Sequence, residues 1–338
     1  MSAHCVRRSS RLTAFSSAGA AALVAVLLSA AFWASNDTLR LASDIFLYVA
    51  LACLWNFLAG YAGLVSVGQQ AYVGLGGYIL FAVTAKADVP VLYAIPMLGI
   101  AAALISVPSA KLLFRLRGAY FAIGSWVLAE VFRLGAILIV PLGGGSGMSL
   151  PVRAAQTLGR TPHDRFVMIY LIALVLLLAI LAMIFLVLRS RMGLALTAIR
   201  DNEVAARSNG VNVNRIKLIV YVAAASATAM VGGLVFLQRL RISPDSGFNV
   251  NDWSALIIFM VVIGGIGTFE GPILGALIYF FLRETLATLG PVYLIILGAV
   301  AIAVMLIEPR GIWGFVRARW GVQLLPLGFV VGKSGPAR

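Results

Sequence analysis

Few residues in this chain could do chemistry, and those that could are set in apolar surroundings. Glu130 and Arg133 stand three positions apart in LAEVFRLGAI, a spacing that puts both on one helical face. Charges inside an apolar stretch are costly and are paired or functional, so the two read either as an internal structural pair or as a recognition element for charged cargo. A second cluster lies in GYAGLVSVGQQAYVGLGGY, residues 60–78. There Ser66, Gly68, Gln69 and Gln70 interrupt an apolar run punctuated by further glycines. Adjacent amides in a span hydrogen-bond across a helix interface or line a polar path, and glycines let helices approach closely. A partner stretch at 263–275 carries Gly264, Gly265, Gly267 and Gly271. Interrupted segments in both halves of a chain point to a translocation path; helix packing alone is the plainer reading.

Catalysis finds no comparable support. GFVVGKS at 328–334 has three residues between its glycines, where a phosphate-binding loop needs four. His4 and His163 lie in connectors without a nucleophile or base beside them, and Cys5 and Cys53 form no CxxC or Cys/His cluster. Neither a metal site nor a disulfide framework is expected.

The elements that must position these residues follow from composition. Hydrophobic residues make up 62% of the chain and charged residues 11%, against about a quarter charged in soluble domains. The expected fold is therefore all-α: a polytopic membrane helix bundle. A net charge of +14 would suggest nucleic acid in a soluble chain. Here the basic residues sit in short connectors and at the ends, which fits orientation in a lipid bilayer and no nucleic acid partner.

Apolar segments near 15–34, 41–59, 61–84, 90–110, 119–141, 166–188, 218–237, 254–266, 271–287 and 292–308 give about ten spans, judged against the ~20 residues a crossing helix needs. Arg7, Arg8 and Arg11 ahead of the first give a signal-peptide outline, but the spans that follow favour an uncleaved first helix. The segment 254–266 is short and reads as broken or re-entrant. With both termini cytoplasmic, seventeen of the 26 basic residues fall inside and eight outside, as the positive-inside rule requires. The chain then divides into a cytoplasmic tail at 1–14, a membrane domain at 15–308 and a cytoplasmic or interfacial tail at 309–338.

The one long polar run is 189–217, RSRMGLALTAIRDNEVAARSNGVNVNRIK, with six basic residues against Asp201 and Glu203. Leu194, Ala198 and Ala205, with Glu203 four positions before Arg207, suit a short surface helix, and Gly210 is placed to end it. A structured helix at the inner surface needs something to dock against.

Several stretches together resemble one family: GLVSVGQQAYVGLGGY at 63–78, LAEVFRL and GGGSGM within 128–148, SRMGLALTAIRDNEVAARSNGVNV at 190–213, VVIGGIGTFEGPILGA at 261–276 and EPRGIWG at 308–314. Their combination is similar to the LivM-type membrane subunits of branched-chain amino acid ATP-binding cassette (ABC) importers. That resemblance implies half of a membrane pore, paired with a homologous second permease subunit. It also implies two cytoplasmic ABC ATPase subunits, which hold ATP and Mg so that this chain binds no cofactor, and an extracytoplasmic substrate-binding protein in a bacterial inner membrane. It assigns coupling to Gly193, Arg200, Asp201, Glu203, Ala205, Ala206 and Gly210. Two departures stand out: Leu142 occupies the place often taken by Thr before the Gly cluster, and Glu203 stands one position earlier than in the usual Glu-Ala-Ala coupling signature. The competing readings are a self-sufficient secondary transporter, for which Glu130 is the evident acidic candidate, and an importer permease for urea or short amides.

Overall fold

The computed structural model describes residues 4–7, 11–87, 89–159, 161–286, 290, 292–308, 310–320 and 330–333. After β1 (His4–Arg7) the chain is almost wholly helical: α1 (Arg11–Trp33), α2 (Asn36–Asn56) continuing into a π-helical turn at Phe57–Tyr61, α3 (Gln69–Lys86), α4 (Val91–Leu113) and α5 (Ala119–Leu138). A Gly-rich connector with β2 (Met148–Ser149) and α6 (Val152–Gln156) leads to α7 (Pro162–Arg189), then the short α8 (Arg191–Asp201) and α9 (Glu203–Ser208). The long α10 (Val213–Arg239) is followed by β3 (Arg241–Ile242), α11 (Pro244–Gly247), a π-helical turn at Asn251–Ala255, α12 (Leu256–Gly264), α13 (Gly271–Leu286), α14 (Val292–Ile307), α15 (Gly311–Trp320) and β4 (Val330–Lys333). Strand β4, inside the GFVVGKS stretch, pairs antiparallel with β1; Gly328 and Ser334 lie outside the described residues.

Helix starts follow the local chemistry. Ser35 caps α2, and Thr161 and Asp164 form a reciprocal capping box with Pro162 in the first turn of α7, satisfying backbone donors that have no intrahelical acceptor. Helix α3 has no such side-chain cap, and its first residues are buried inside the bundle.

Each of the ten expected apolar segments carries a helix. Among the described residues, seven helical runs are long and apolar enough to cross a membrane. The chain is thus an all-α multi-pass membrane protein. One expectation changes and one is extended. Past Ala62, where the helix from α2 ends, segment 61–84 is irregular over 63–68, Gly63 turning the chain at φ +68°, and is helical again only from Gln69. The segment at 254–266 is broken as expected, but it ends a longer interrupted run, Pro244–Gly264, of 21 residues, which meets the length of a full crossing.

Helices α2 and α10 form the centre: 78% of the apolar window of Asn36–Tyr61 is buried, against 6% for Val292–Arg319. Small residues draw the central helices together. A Cβ on Gly76 would strike the carbonyl of Ala229, and one on Gly232 would strike that of Val73, so α3 and α10 touch backbone to backbone. Helices α12 and α13 pack as an antiparallel hairpin by the same means, Gly264 against Gly271 and Gly275 against Met260.

Candidate functional site

The polar run at 189–217 folds as two helices, not one. Ser190 caps α8 and Asn202 caps α9, the latter accepting from the Ala205 N–H at 3.0 Å. The extended backbone of Asn202 separates the two. Gly193 is needed where α8 turns back on α7, since a Cβ there would strike the Leu188 carbonyl. Ile199 and Ala206 bury against Val213 in a small core of their own, while Leu194 and Val204 stay 61% and 75% exposed. Gly210 follows α9 at φ +81°, the left-handed conformation that ends helices.

Glu203 fastens this unit to the bundle. Its carboxylate accepts from Lys217 Nζ at 2.7 Å and Arg207 Nη2 at 2.8 Å. The hydrogen bond from Lys217, on α10, is the main reason the carboxyl is held below the usual range, with Arg207 adding to it. Ala205 packs its backbone into the cap of α9, and Asp201 lies 3.5 Å from the neighbouring Arg200.

Arg200 reaches toward the second Gly-broken stretch: a methyl added to Gly267 would sit 3.3 Å from both Arg200 Nη1 and the Gly60 carbonyl. That stretch is a turn between α12 and α13, with Gly265 at φ +125° and Gly267 at φ +75°. Thr268 closes it, its hydroxyl donating to the Gly265 carbonyl at 2.7 Å and accepting from the Gly271 N–H at 3.1 Å. Asn56, at the end of α2, clamps it from outside. The Asn56 amide nitrogen donates to the Thr268 carbonyl at 2.7 Å, and its oxygen accepts from the Gly267 N–H at 2.8 Å. Gly311, within EPRGIWG, abuts Gly265 at a spacing that excludes a side chain. The two glycine-broken stretches and helices α8 and α9 thus meet at one end of the bundle through Gly60, Gly267 and Arg200.

The first broken stretch also runs inward from that end. Trp55 Nε1 donates to the Ser66 carbonyl at 2.7 Å, and the Ser66 hydroxyl accepts from the Gly68 N–H at 3.1 Å. Gly68 lies against the Ser125 carbonyl of α5. Gln69 donates to the Leu51 carbonyl at 3.0 Å, and Gln70 accepts a short hydrogen bond from Ser254. Ser66, Gln69 and Gln70 are buried and bonded within the chain, so α3 begins inside the bundle. A cleft of about 570 Å³, lined by Gly63, Leu64 and Val65 of this stretch, Arg117 and Phe121 beyond α4, and Glu203 of α9, joins it to the end that carries α8 and α9.

Glu130 and Arg133 do pair, Arg133 Nη2 to Glu130 Oε1 at 2.6 Å, and Arg133 Nη1 also holds Asp245 of α11 at 2.9 Å. With Glu130 46% and Asp245 83% exposed, the trio ties α5 to α11 on the surface.

Sequence reasoning missed Asn56, Thr268 and Asp245. Asn56 had a legible signal, an amide alone in LWNFLAG, of the kind that in a span marks an interhelical bond. Thr268 and Asp245 had none.

The family model for the permease component of branched-chain amino acid transport systems matches residues 37–307. This chain belongs to that permease family. Among its relatives is the high-affinity branched-chain amino acid transport system permease protein LivM of Escherichia coli K12, 27% identical over 87% of this chain and 75% of the relative. LivM of Salmonella typhimurium is 26% identical over 88% of this chain and 74% of its own length. The ribose import permease protein RbsC of E. coli K12 is 33% identical over a shorter stretch, 30% of this chain and 32% of RbsC. No solved structure matches. The chain is therefore LivM-type, and its relatives are transport components, not enzymes.

Proposed function

We propose that this chain forms half of the translocation pathway of an ABC importer for branched-chain or closely related amino acids in a bacterial inner membrane. It pairs with a homologous permease subunit, receives cargo from an extracytoplasmic binding protein and is driven by two cytoplasmic ATPase subunits, which hold ATP and Mg. The observation that carries this reading is the junction of α8 and α9 with both glycine-broken stretches. A helical unit pinned by Glu203 and presenting Leu194 and Val204 to solvent is suited to take force from a docked partner. Arg200, Gly60 and Gly267 are suited to pass it to the turn at 264–271 and to the irregular segment before α3. Gly264, Gly265, Gly267 and Gly271, with Ser66, Gly68, Gln69 and Gln70, then shape the path by letting these segments repack between two arrangements, a bistable element of the kind that switches transporters. Glu130 and Arg133 serve structure.

A photo-crosslinking side chain at Val204 tests the docking surface. It should capture an ATP-hydrolysing subunit, while the same probe at the exposed Ile295 should not. Equal capture at both positions, or none at Val204 in an assembled transporter, would remove the basis for the reading.

A further inference from the structure

We propose that a cleft at the end of the bundle opposite α8 and α9 binds a free α-amino acid as its zwitterion, with Arg40, Arg239 and Arg283 receiving the carboxylate and Asp44 and Asp252 the ammonium. The cleft has a volume of about 250 Å³, below the roughly 300–1,000 Å³ of pockets for drug-sized ligands. It is assembled from the start of α2, the end of α10, the π-helical turn and first residue of α12, the end of α13 and the start of α14; in α2, α10, α12 and α13 these are the ends opposite those that meet α8 and α9.

Its charges differ in burial. The three arginines are exposed, and the two aspartates that share the lining are half-buried. Among the described residues, no carboxylate lies within 4.0 Å of any of these three guanidiniums, so their donor edges are not committed to a partner. Aromatic faces hold two of them in place: Arg239 lies 4.9 Å from the Trp253 ring and 5.8 Å from that of Phe236, and Arg283 lies 5.8 Å from Phe280. Stacking covers the guanidinium face and leaves the planar fork for an oxyanion.

The half-buried groups bear the opposite charge. Gln238 donates through Nε2 to the Arg40 carbonyl at 3.2 Å, tying the end of α10 to the start of α2. An ammonium brings three donors, and the cleft offers the carboxylates of Asp44 and Asp252. The rings of Tyr48 and Tyr279, with Leu256, supply apolar wall for a side chain. A site for anions alone would not carry two aspartates, nor one for cations three arginines.

That this zwitterion is transported cargo rests on the import reading; that it binds here does not. The test uses the full-length chain purified in detergent, with L-leucine, L-leucinamide (no carboxylate) and 4-methylpentanoate (no ammonium) as probes, read by calorimetric titration and thermal shift. Leucine should bind, and each analogue should bind about tenfold more weakly or worse, the size of one lost charge-assisted hydrogen bond. Asp44→Asn and Arg283→Gln should each weaken leucine by a similar factor. Arg40→Gln, an exposed substitution, gives the same answer should Asp44→Asn not fold. Binding of 4-methylpentanoate as tight as leucine, leucine binding undiminished in the variants, or no binding of any probe would overturn the site. ATP-driven leucine uptake by the assembled importer without binding here would sink this proposal alone. Intact binding with no such uptake would sink the import reading alone.

Discussion

Replacing Asn56 with Leu, which keeps the volume and removes the amide, should unfasten the turn between α12 and α13. The wild-type side chain makes two bonds there, to the Thr268 carbonyl at 2.7 Å and from the Gly267 N–H at 2.8 Å, and it is 2% exposed. Side-chain bonds in membrane bundles average about 0.6 kcal/mol, which sets a floor near ~1.2 kcal/mol for the pair. Leaving a buried peptide donor and acceptor without partners costs about 1–3 kcal/mol each, and because the Gly267 and Thr268 groups are part-buried, water offsets some of that. The expected destabilisation is therefore about 2–4 kcal/mol. It is measurable as a shift in denaturant unfolding of the purified chain in detergent, with no loss of helix content. Gly60→Ala probes the same junction from the other side, because its Cβ would press on the Asn56 oxygen and come within 2.6 Å of the Gly267 nitrogen. The double variant should show a coupling energy above ~0.5 kcal/mol, as residues sharing partners do. An Asn56→Leu cost below ~0.5 kcal/mol, or strict additivity with Gly60→Ala, would refute the clamp.

Three further outcomes follow from the same geometry. Glu203→Arg, which places a cation beside Lys217 and Arg207, and Gly210→Pro, at φ +81° where proline cannot go, should leave membrane insertion intact and separate ATP hydrolysis from uptake. Wild-type uptake in assembled variants would count against the coupling role. The Glu203 carboxyl lies below its ordinary value of 4.5 when folded, chiefly through Lys217, so its contribution is complete above that pH and is lost as pH falls through the lower folded value. Hydrogen exchange in α9 should then differ between wild type and Glu203→Gln at neutral pH and converge under acid; a constant difference across that range would contradict it. Gly275→Ala, which drives a methyl into the Met260 carbonyl, should destabilise the α12–α13 hairpin by about 1–3 kcal/mol, read in the same unfolding assay.

What was legible in advance depended on whether the signal was local. The apolar segments carried the helices, and Gly210, with the Glu203–Arg207 spacing, marked where and how α9 ends, because periodicity and capping are properties of neighbouring residues. Segment ends failed where tertiary partners decide them. Residues 63–68 lie within an apolar segment, yet they leave the helix because Gly63 turns the chain and Trp55 and Ser125 supply bonds to Ser66 and Val67. The single helix expected at 189–217 divides because the Asn202 side chain caps a new one. Distances across the fold were invisible: that Asn56 meets Thr268, or Arg133 meets Asp245, is set by how helices far apart in sequence cross. The glycines at 264–271 were recognisable as a break, but that this break adjoins α8 follows only from the packing.

The central claim is tested most directly by uptake into proteoliposomes. Reconstituted with its partner permease, the ATPase subunits and a leucine-loaded binding protein, this chain should support leucine uptake that requires ATP and binding protein together. Reconstituted alone, it should show none under a proton or sodium gradient. Gradient-driven uptake by the chain alone, or leucine accumulation indifferent to ATP in the full assembly, would contradict the account.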